Sequence, residues 1–308
     1  MRVAIFGGTG FVGSYLVKLL LEEKYEISLL TRSENKDKII SSNDCKTIVG
    51  SIQSKSAIKE TILDCDCVIY NIGILKEYPK QGITFQALQL DGLKAAVDES
   101  KRVGIKKFIL MSANGVDAKI TPYQKTKYDA EEYLKKSELR YSIFRPSIIF
   151  GDPSKKMEFV TQLYKDMVQP PIPAINFYNG SSPIEGSIKM SPVHVEDVAI
   201  AFYQATIKES TDYKTIVLGG PETLSWYEIL NRIMLVTSKK KIIFPMPIKL
   251  MKIAASLFQW ISLFPVTLDQ LKMLEEENIA NSSDLCELIE KPLTLCDTNN
   301  LSYLLKND

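Results

Sequence analysis

A short apolar run, Arg2-Val3-Ala4-Ile5-Phe6, leads straight into Gly7-Gly8-Thr9-Gly10-Phe11-Val12-Gly13 and then into the helical spacing Tyr15-Leu16-Leu19-Leu20. The order strand, glycine turn, helix lifts a glycine motif above a chance match. One glycine permits the sharp turn, a second lets backbone N–H groups approach a diphosphate, and a third lets helix and strand pack closely. A diphosphate at such a turn rests on the positive end of the helix dipole. The spacing is GxxGxxG, through Gly7, Gly10 and Gly13. It marks Gly7, Thr9, Gly10, Phe11, Val12 and Gly13 as candidate cofactor contacts. The plainer alternative is a β–turn–α connection whose glycines serve only the backbone.

The alternation continues. Strands are expected over Glu26–Thr31, Cys45–Val49, Val68–Asn71, Phe108–Ser112 and Tyr141–Arg145. Helices are expected over Ser54–Leu63, Gln86–Val103 and Pro122–Ser137. This rhythm specifies an α/β fold, a doubly wound parallel sheet of Rossmann type with helices on both faces. Ligands of such sheets bind beyond the carboxyl ends of the strands. After Gly151 the rhythm breaks at Pro153, Pro170-Pro171 and Pro173 and turns more helical, over Glu196–Ile207, Ser225–Thr237 and the apolar run Pro247–Phe264. Lys189–Val193 and Thr215–Leu218 read as strands between them. The expected division is a dinucleotide-binding domain at 1–150 and a smaller, mostly helical C-terminal lobe at 151–308, with segments free to cross back to the sheet. Trp226 and Tyr227 are expected to pack in the core of that lobe.

Charge and rare residues exclude several functions. Lys+Arg 38 against Asp+Glu 37 leaves no broad electrostatic footprint for nucleic acid. The single histidine, His194, rules out a multi-histidine metal site within one chain, and no GxSxG elbow accompanies it. No metal is expected. Five cysteines with no CxxC pair fit a reduced, cytoplasmic setting. No signal peptide and no transmembrane window is apparent.

Cofactor choice is usually written at the end of the second strand, where a carboxylate would bind the ribose hydroxyls of NAD. Here that end reads Leu29-Leu30-Thr31-Arg32-Ser33, and Arg32 stands where a 2′-phosphate would lie. Arginine forms charge-assisted, often bidentate bonds to phosphate. NADP(H) is therefore favoured over NAD(H). The alternatives are an exposed arginine without a ligand, or Glu34 supplying the missing carboxylate. Gly50-Ser51, after the third strand, is expected near the adenine.

A YxxxK pair alone means little in a chain with 14 tyrosines. Tyr123 and Lys127, however, open the helix after the fifth strand, and a spacing of four puts both on one helical face. Lys127 would bind the nicotinamide ribose and lower the Tyr123 pKa, so that the phenol exchanges a proton with a substrate oxygen. Otherwise Tyr123 packs at a helix start and Lys127 is solvated. Ser112 or Asn114 would steady the substrate oxygen, Ser112 from deep in the strand end.

These residues resemble the extended and atypical short-chain dehydrogenases/reductases. The glycine turn is similar to their cofactor turn, and Asn71-Ile72-Gly73 to the segment after their fourth strand. Tyr123 and Lys127 fall on their tyrosine–lysine pair. Arg145-Pro146-Ser147-Ile148-Ile149-Phe150-Gly151 resembles their RPSxxFG segment, which implies that Pro146 and Ser147 run beside the nicotinamide. Ser191-Pro192-Val193-His194-Val195-Glu196-Asp197-Val198-Ala199 is similar to a further segment of theirs, which implies a helix-capping Asp197 and a structural His194. Ser51 replaces an aspartate common in the family. Asn71-Ile72-Gly73-Ile74-Leu75 with Glu77, and the tail Thr267–Leu271 with Glu276-Glu277-Asn278, resemble bacterial relatives of the NADPH-binding accessory subunit of respiratory complex I. That resemblance implies bound NADPH and a structural, assembly or low-turnover role. Two other functions stay open: an active oxidoreductase or sugar-type epimerase using Tyr123 and Lys127, and an NADP(H) redox sensor acting on a protein partner. The apolar stretch 245–265, with Lys249 and Lys252 at its front, Trp260 within and Lys239-Lys240-Lys241 nearby, reads either as a contact for a membrane surface or protein complex, or as a helix packed in the lobe. The first implies a cytoplasmic protein, peripheral at the inner face of a membrane.

Overall fold

Seven parallel strands form the central sheet of the computed structural model, which describes residues 1–32, 42–180, 182–183, 186–258 and 268–307. The first six are β1 (Arg2–Phe6), β2 (Glu26–Thr31), β3 (Cys45–Val49), β4 (Cys67–Tyr70), β5 (Lys107–Met111) and β6 (Tyr141–Pro146). The seventh is a late returning strand, Lys214–Leu218. Across the sheet the order runs β3-β2-β1-β4-β5-β6 and then the returning strand. The order reverses direction between β1 and β4, which makes that point the ligand crevice of a doubly wound sheet. The expected α/β architecture is present. Strands buried on both faces read as continuous apolar runs; β4 and β5 are buried throughout.

The helices between strands are α1 (Phe11–Glu22), α2 (Lys55–Ile62), α3 (Gly92–Val103) and α4 (Pro122–Lys135). Ser54 caps α2 by accepting from the Ala57 N–H. Thr121 and Gln124 cap α4 reciprocally, with Pro122 in its first turn. The expected helix over Gln86–Val103 is one continuous run, but its first part, Gln86–Asp91, is π-helical. The wider turn sits where Leu88 O accepts a hydrogen bond from the Tyr70 hydroxyl.

The chain divides into two compact units. The first comprises Met1–Pro146, Val195–Leu218 and Asp284–Lys291. Its core includes Phe6, Tyr70, Leu93, Phe108 and Ile143. The helix Val195–Ile207 returns to this unit. Asp197 does not precede that helix as a cap: it lies in the first turn, buried, and pairs with Lys291 at 2.9 Å. A carboxylate there still meets the positive helix end.

The second unit comprises Ser147–His194, Gly219–Ser283 and Pro292–Asp308. Its core gathers Phe150, Tyr164, Phe177, Trp226 and Leu230. Trp226 donates its indole N–H to Ile175 O, whereas Tyr227, expected inside, is 48% exposed. The two differ because Trp226 opens the helix Trp226–Val236 on its buried side and Tyr227 turns away by one residue. His194 packs edge-on against Phe150 at 5.0 Å, a structural contact. The expected strand Lys189–Val193 is broken into two short pieces, Lys189–Met190 and Val193–His194, with Pro192 between them. The stretch from Pro245 is not helical throughout. It begins in the strand Ile243–Pro247, parallel to Ala174–Tyr178, and becomes helical over Ile248–Phe258. Trp260 and Glu34 lie outside the described residues.

Candidate dinucleotide site

The site is built on the β1–α1 turn. Gly7 adopts φ +92, and a Cβ there would sit 2.7 Å from Asn71 O. A Cβ on Gly13 would sit 2.2 Å from Gly7 O and 2.6 Å from Gly8 Cα. Glycine is therefore required at both positions, at Gly7 by conformation and close approach and at Gly13 by helix–turn packing. Gly10 is the N-cap of α1 and supplies no side-chain cap. The first N–H groups of a helix have no intrahelical partner, and no side chain caps those at the start of α1. Thr9 lies in the same turn.

The approach of Gly7 to Asn71 ties this turn to the end of β4. Gly73, two residues on, lies beside α4: its Cβ would be 3.6 Å from Lys127 Nζ. The Lys127 ammonium in turn donates to Met111 O at 2.8 Å, at the end of β5. Ser112 follows Met111. Its hydroxyl is buried and has no hydrogen-bond partner among the described residues. Glycine turn, Asn71, Gly73, Lys127 and Ser112 thus form one connected arc along the carboxyl edge of β1, β4 and β5.

Tyr123 stands one turn before Lys127 on α4. Its ring meets Phe85 edge-on at 5.6 Å. Burial pushes its phenol up to about 12. Burial pushes Lys127 down to about 8, against the opposing charge of Glu131. The expected lowering of the Tyr123 pKa by Lys127 is not seen: loss of solvent shifts the phenol upward, with no opposing pull from Lys127. Lys127 has a consequence for stability. The unfolded chain holds that proton to its ordinary value of 10.5, while the folded chain releases it near 8. Stability therefore increases as pH rises through that window, by about 3 kcal/mol from this residue. Urea unfolding between pH 8 and 10 checks this, and Lys127→Met is expected to flatten the rise.

Asn114 N donates to Pro146 O at 2.9 Å, which fixes the loop after β5 against the end of β6. Ser147 opens the second unit, where its hydroxyl donates to Asn278 O at 2.9 Å. Arg32 is exposed at the end of β2. Gly50 N donates to Thr31 O at 2.8 Å, which places Ser51 beside the end of β2, and the Ser51 hydroxyl accepts from Gln53 N.

Three supporting residues escaped the sequence reading. Gln89 donates to Ile74 O and accepts from the Thr126 hydroxyl, linking the segment after β4 to α4. Phe85 seats the Tyr123 ring. Glu131, fully buried, accepts from Arg145 Nε at 2.9 Å and Nη2 at 2.7 Å. Only Glu131 had a visible sign, its position four residues after Lys127 on the same helical face.

Comparison with known proteins agrees with this geometry. A profile described as NAD(P)H-binding matches residues 7–173, more than half of the chain. The mitochondrial NADH-ubiquinone oxidoreductase 40 kDa subunit of Neurospora crassa is 24% identical over 73% of this chain and 57% of its own length. The photosystem II assembly factor Ycf39 of Guillardia theta is 27% identical over 49% of this chain and 47% of its own. The chain thus spans about half the length of these curated relatives. A UDP-glucuronic acid 4-epimerase from Bacillus cereus, solved with NAD, superposes with a TM-score of 0.76 over 100% of this chain and 99% of that one, at 16% identity. That likeness is one of fold. A glycine turn at the sheet's reversal point, a buried lysine near it and the NAD(P)H-binding profile agree: the chain belongs to the NAD(P)H-binding family.

Proposed function

We propose that this protein binds NADP(H) and turns it over slowly or not at all, serving as a structural or assembly component linked to a respiratory complex. The observation that carries the binding is the uncapped N-terminus of α1 behind a turn that only glycine can form. Gly7, Thr9, Gly10, Phe11, Val12 and Gly13 hold the diphosphate. Arg32 takes the 2′-phosphate, Ser51 lies by the adenosine, and Asn71, Gly73, Lys127, Pro146 and Ser147 line the nicotinamide half. Low turnover is supported by the Tyr123 phenol, pushed up and away from the neutral range that suits proton transfer. The link to a respiratory complex is supported by the relative from Neurospora crassa. In this reading the protein works in the cytoplasm and contacts a partner through the 245–265 region.

One observation favours a second reading, an active oxidoreductase or sugar-type epimerase. The buried Ser112 hydroxyl lacks a partner among the described residues, and an unsatisfied buried hydroxyl is uncommon unless a ligand or water completes it. Ser112 or Asn114 would then hold the substrate oxygen while Tyr123 moves the proton.

Identifying the nucleotide retained on purification, followed by assay of Tyr123→Phe, separates the readings. Retained NADPH without consumption supports the first, and a turnover that collapses in the variant supports the second. Arg32→Asp is expected to weaken NADPH binding by about 10- to 100-fold, the worth of charge-assisted phosphate contacts, and to leave NADH nearly unchanged. Equal losses for both nucleotides would remove Arg32 from the site. Lys127 also sets a pH dependence. Its ammonium binds ribose oxygens only while protonated, so NADPH affinity should fall as pH rises above about 8. Titration of Lys127→Met should show no such fall.

A further inference from the structure

We infer that the second unit carries a binding surface for anionic lipid headgroups, formed by the helix Ile248–Phe258 and the strand Ile243–Pro247 before it. The inference deepens the partner contact proposed at 245–265 and names its chemistry. The helix has two apolar faces. Ile248 and Ala255 are fully buried, and Met251 packs beside them on the core. The opposite face carries Leu250, Ile253 and Leu257, which are 58%, 59% and 56% exposed. Their spacing of three and four residues aligns them in one outward stripe. Ile242 and Phe244, just before the helix, are 76% and 54% exposed. Packing explains the inner face; among the described residues nothing packs over the outer one enough to bury it.

The surrounding charge selects the occupant. Between Glu228 and Asp269 the sequence carries Arg232 and five lysines and no carboxylate. Arg232 is neutralised by Glu222, and Lys252 by Glu275. Lys239, Lys240 and Lys249 are exposed with no carboxylate partner among the described residues. An aliphatic stripe flanked by unneutralised lysines is the chemistry of a helix lying in the interface of an anionic bilayer. No helix of the described residues is long and apolar enough to cross one, so the contact is peripheral.

The test uses the full chain and vesicles of phosphatidylcholine, with and without phosphatidylglycerol. The protein is expected to sediment with the phosphatidylglycerol vesicles, not with phosphatidylcholine alone, and to be released by salt. Lys239→Gln, Lys240→Gln and Lys249→Gln together should weaken partitioning by about 100-fold. Leu250→Ser with Ile253→Ser and Leu257→Ser should abolish it, with the circular dichroism melt unchanged because the stripe lies outside the core. No sedimentation with either vesicle would overturn the proposal. So would binding that survives both sets of substitutions, or a self-association in sizing experiments that the serine variant dissolves. The assay contains no nucleotide. Failure of NADPH to shift the melt would therefore count against the cofactor reading and leave this result standing.

Discussion

Gly13→Ala is expected to abolish NADPH binding and to lower stability by about 3 kcal/mol, the upper part of the range for overpacking. The added methyl would overlap Gly7 O and Gly8 Cα at 2.2 and 2.6 Å. Both are backbone atoms of the turn itself, so no side-chain rotation relieves the clash. Either α1 shifts away from β1 or the turn opens, and in both cases the N–H groups of Phe11 and Val12 lose their aim. Losing one or two charge-assisted hydrogen bonds weakens nucleotide affinity by about 100-fold or more. Gly10→Ala serves as the control. Its Cβ would lie 3.3 Å from Gly7 O, and its φ of −73 suits any residue. It should melt near the parent protein and retain measurable binding. Thermal melts with and without NADPH read both effects, and a Gly13→Ala protein that melts and binds like the parent would refute this account of the turn.

Arg145→Met should produce the second large effect, about 3–5 kcal/mol of lost stability, the usual result of breaking a buried ion pair from one side. Arg145 is 12% exposed at its side chain and holds two carboxylates, Glu131 and Asp117. Glu131 is completely buried, so removing the guanidinium strands a charge away from water. The neighbouring Lys135, 3.7 Å from Glu131, compensates only in part. Asp117 is 65% exposed at its side chain, and Asp117→Asn should cost under about 1 kcal/mol. Adding Glu131→Gln to Arg145→Met should recover part of the loss, because the stranded charge is then gone. Urea unfolding of the parent, Arg145→Met, Glu131→Gln and the double variant completes a cycle that isolates the Arg145–Glu131 coupling. Full additivity of the two changes would mean that the pair is not coupled.

Much of the first unit was legible in the chain. β2 and β3 begin and end at the expected residues, and β4, β5, α2 and α4 differ by a residue or two. Buried parallel strands write themselves as runs such as Phe108-Ile109-Leu110-Met111, and capping residues such as Thr121 and Gln124 mark where helices start. The π-helical turn at Gln86–Asp91 was not legible. It shares the periodicity of a helix, and the contact made at it, the Tyr70 hydroxyl on Leu88 O, comes from eighteen residues away. Tyr227 was misplaced for a similar reason. An apolar residue at a helix start is equally compatible with either face until the neighbour it would pack against is known.

Local chemistry alone thus determined the glycine turn, the alternation that makes a parallel sheet, and the pairing of Tyr123 with Lys127 on one helical face. These depend on backbone sterics and on a helical period that acts over a few residues. Solvent access was decided only by the assembled fold. Burial drives Lys127 down and Tyr123 up, orphans the Ser112 hydroxyl, sends Asp197 to Lys291 and turns Leu250, Ile253 and Leu257 outward. Each of these depends on segments far apart in the chain that close over a group or leave it open. No window of sequence contains that information, because exclusion of water is a property of the whole packed unit.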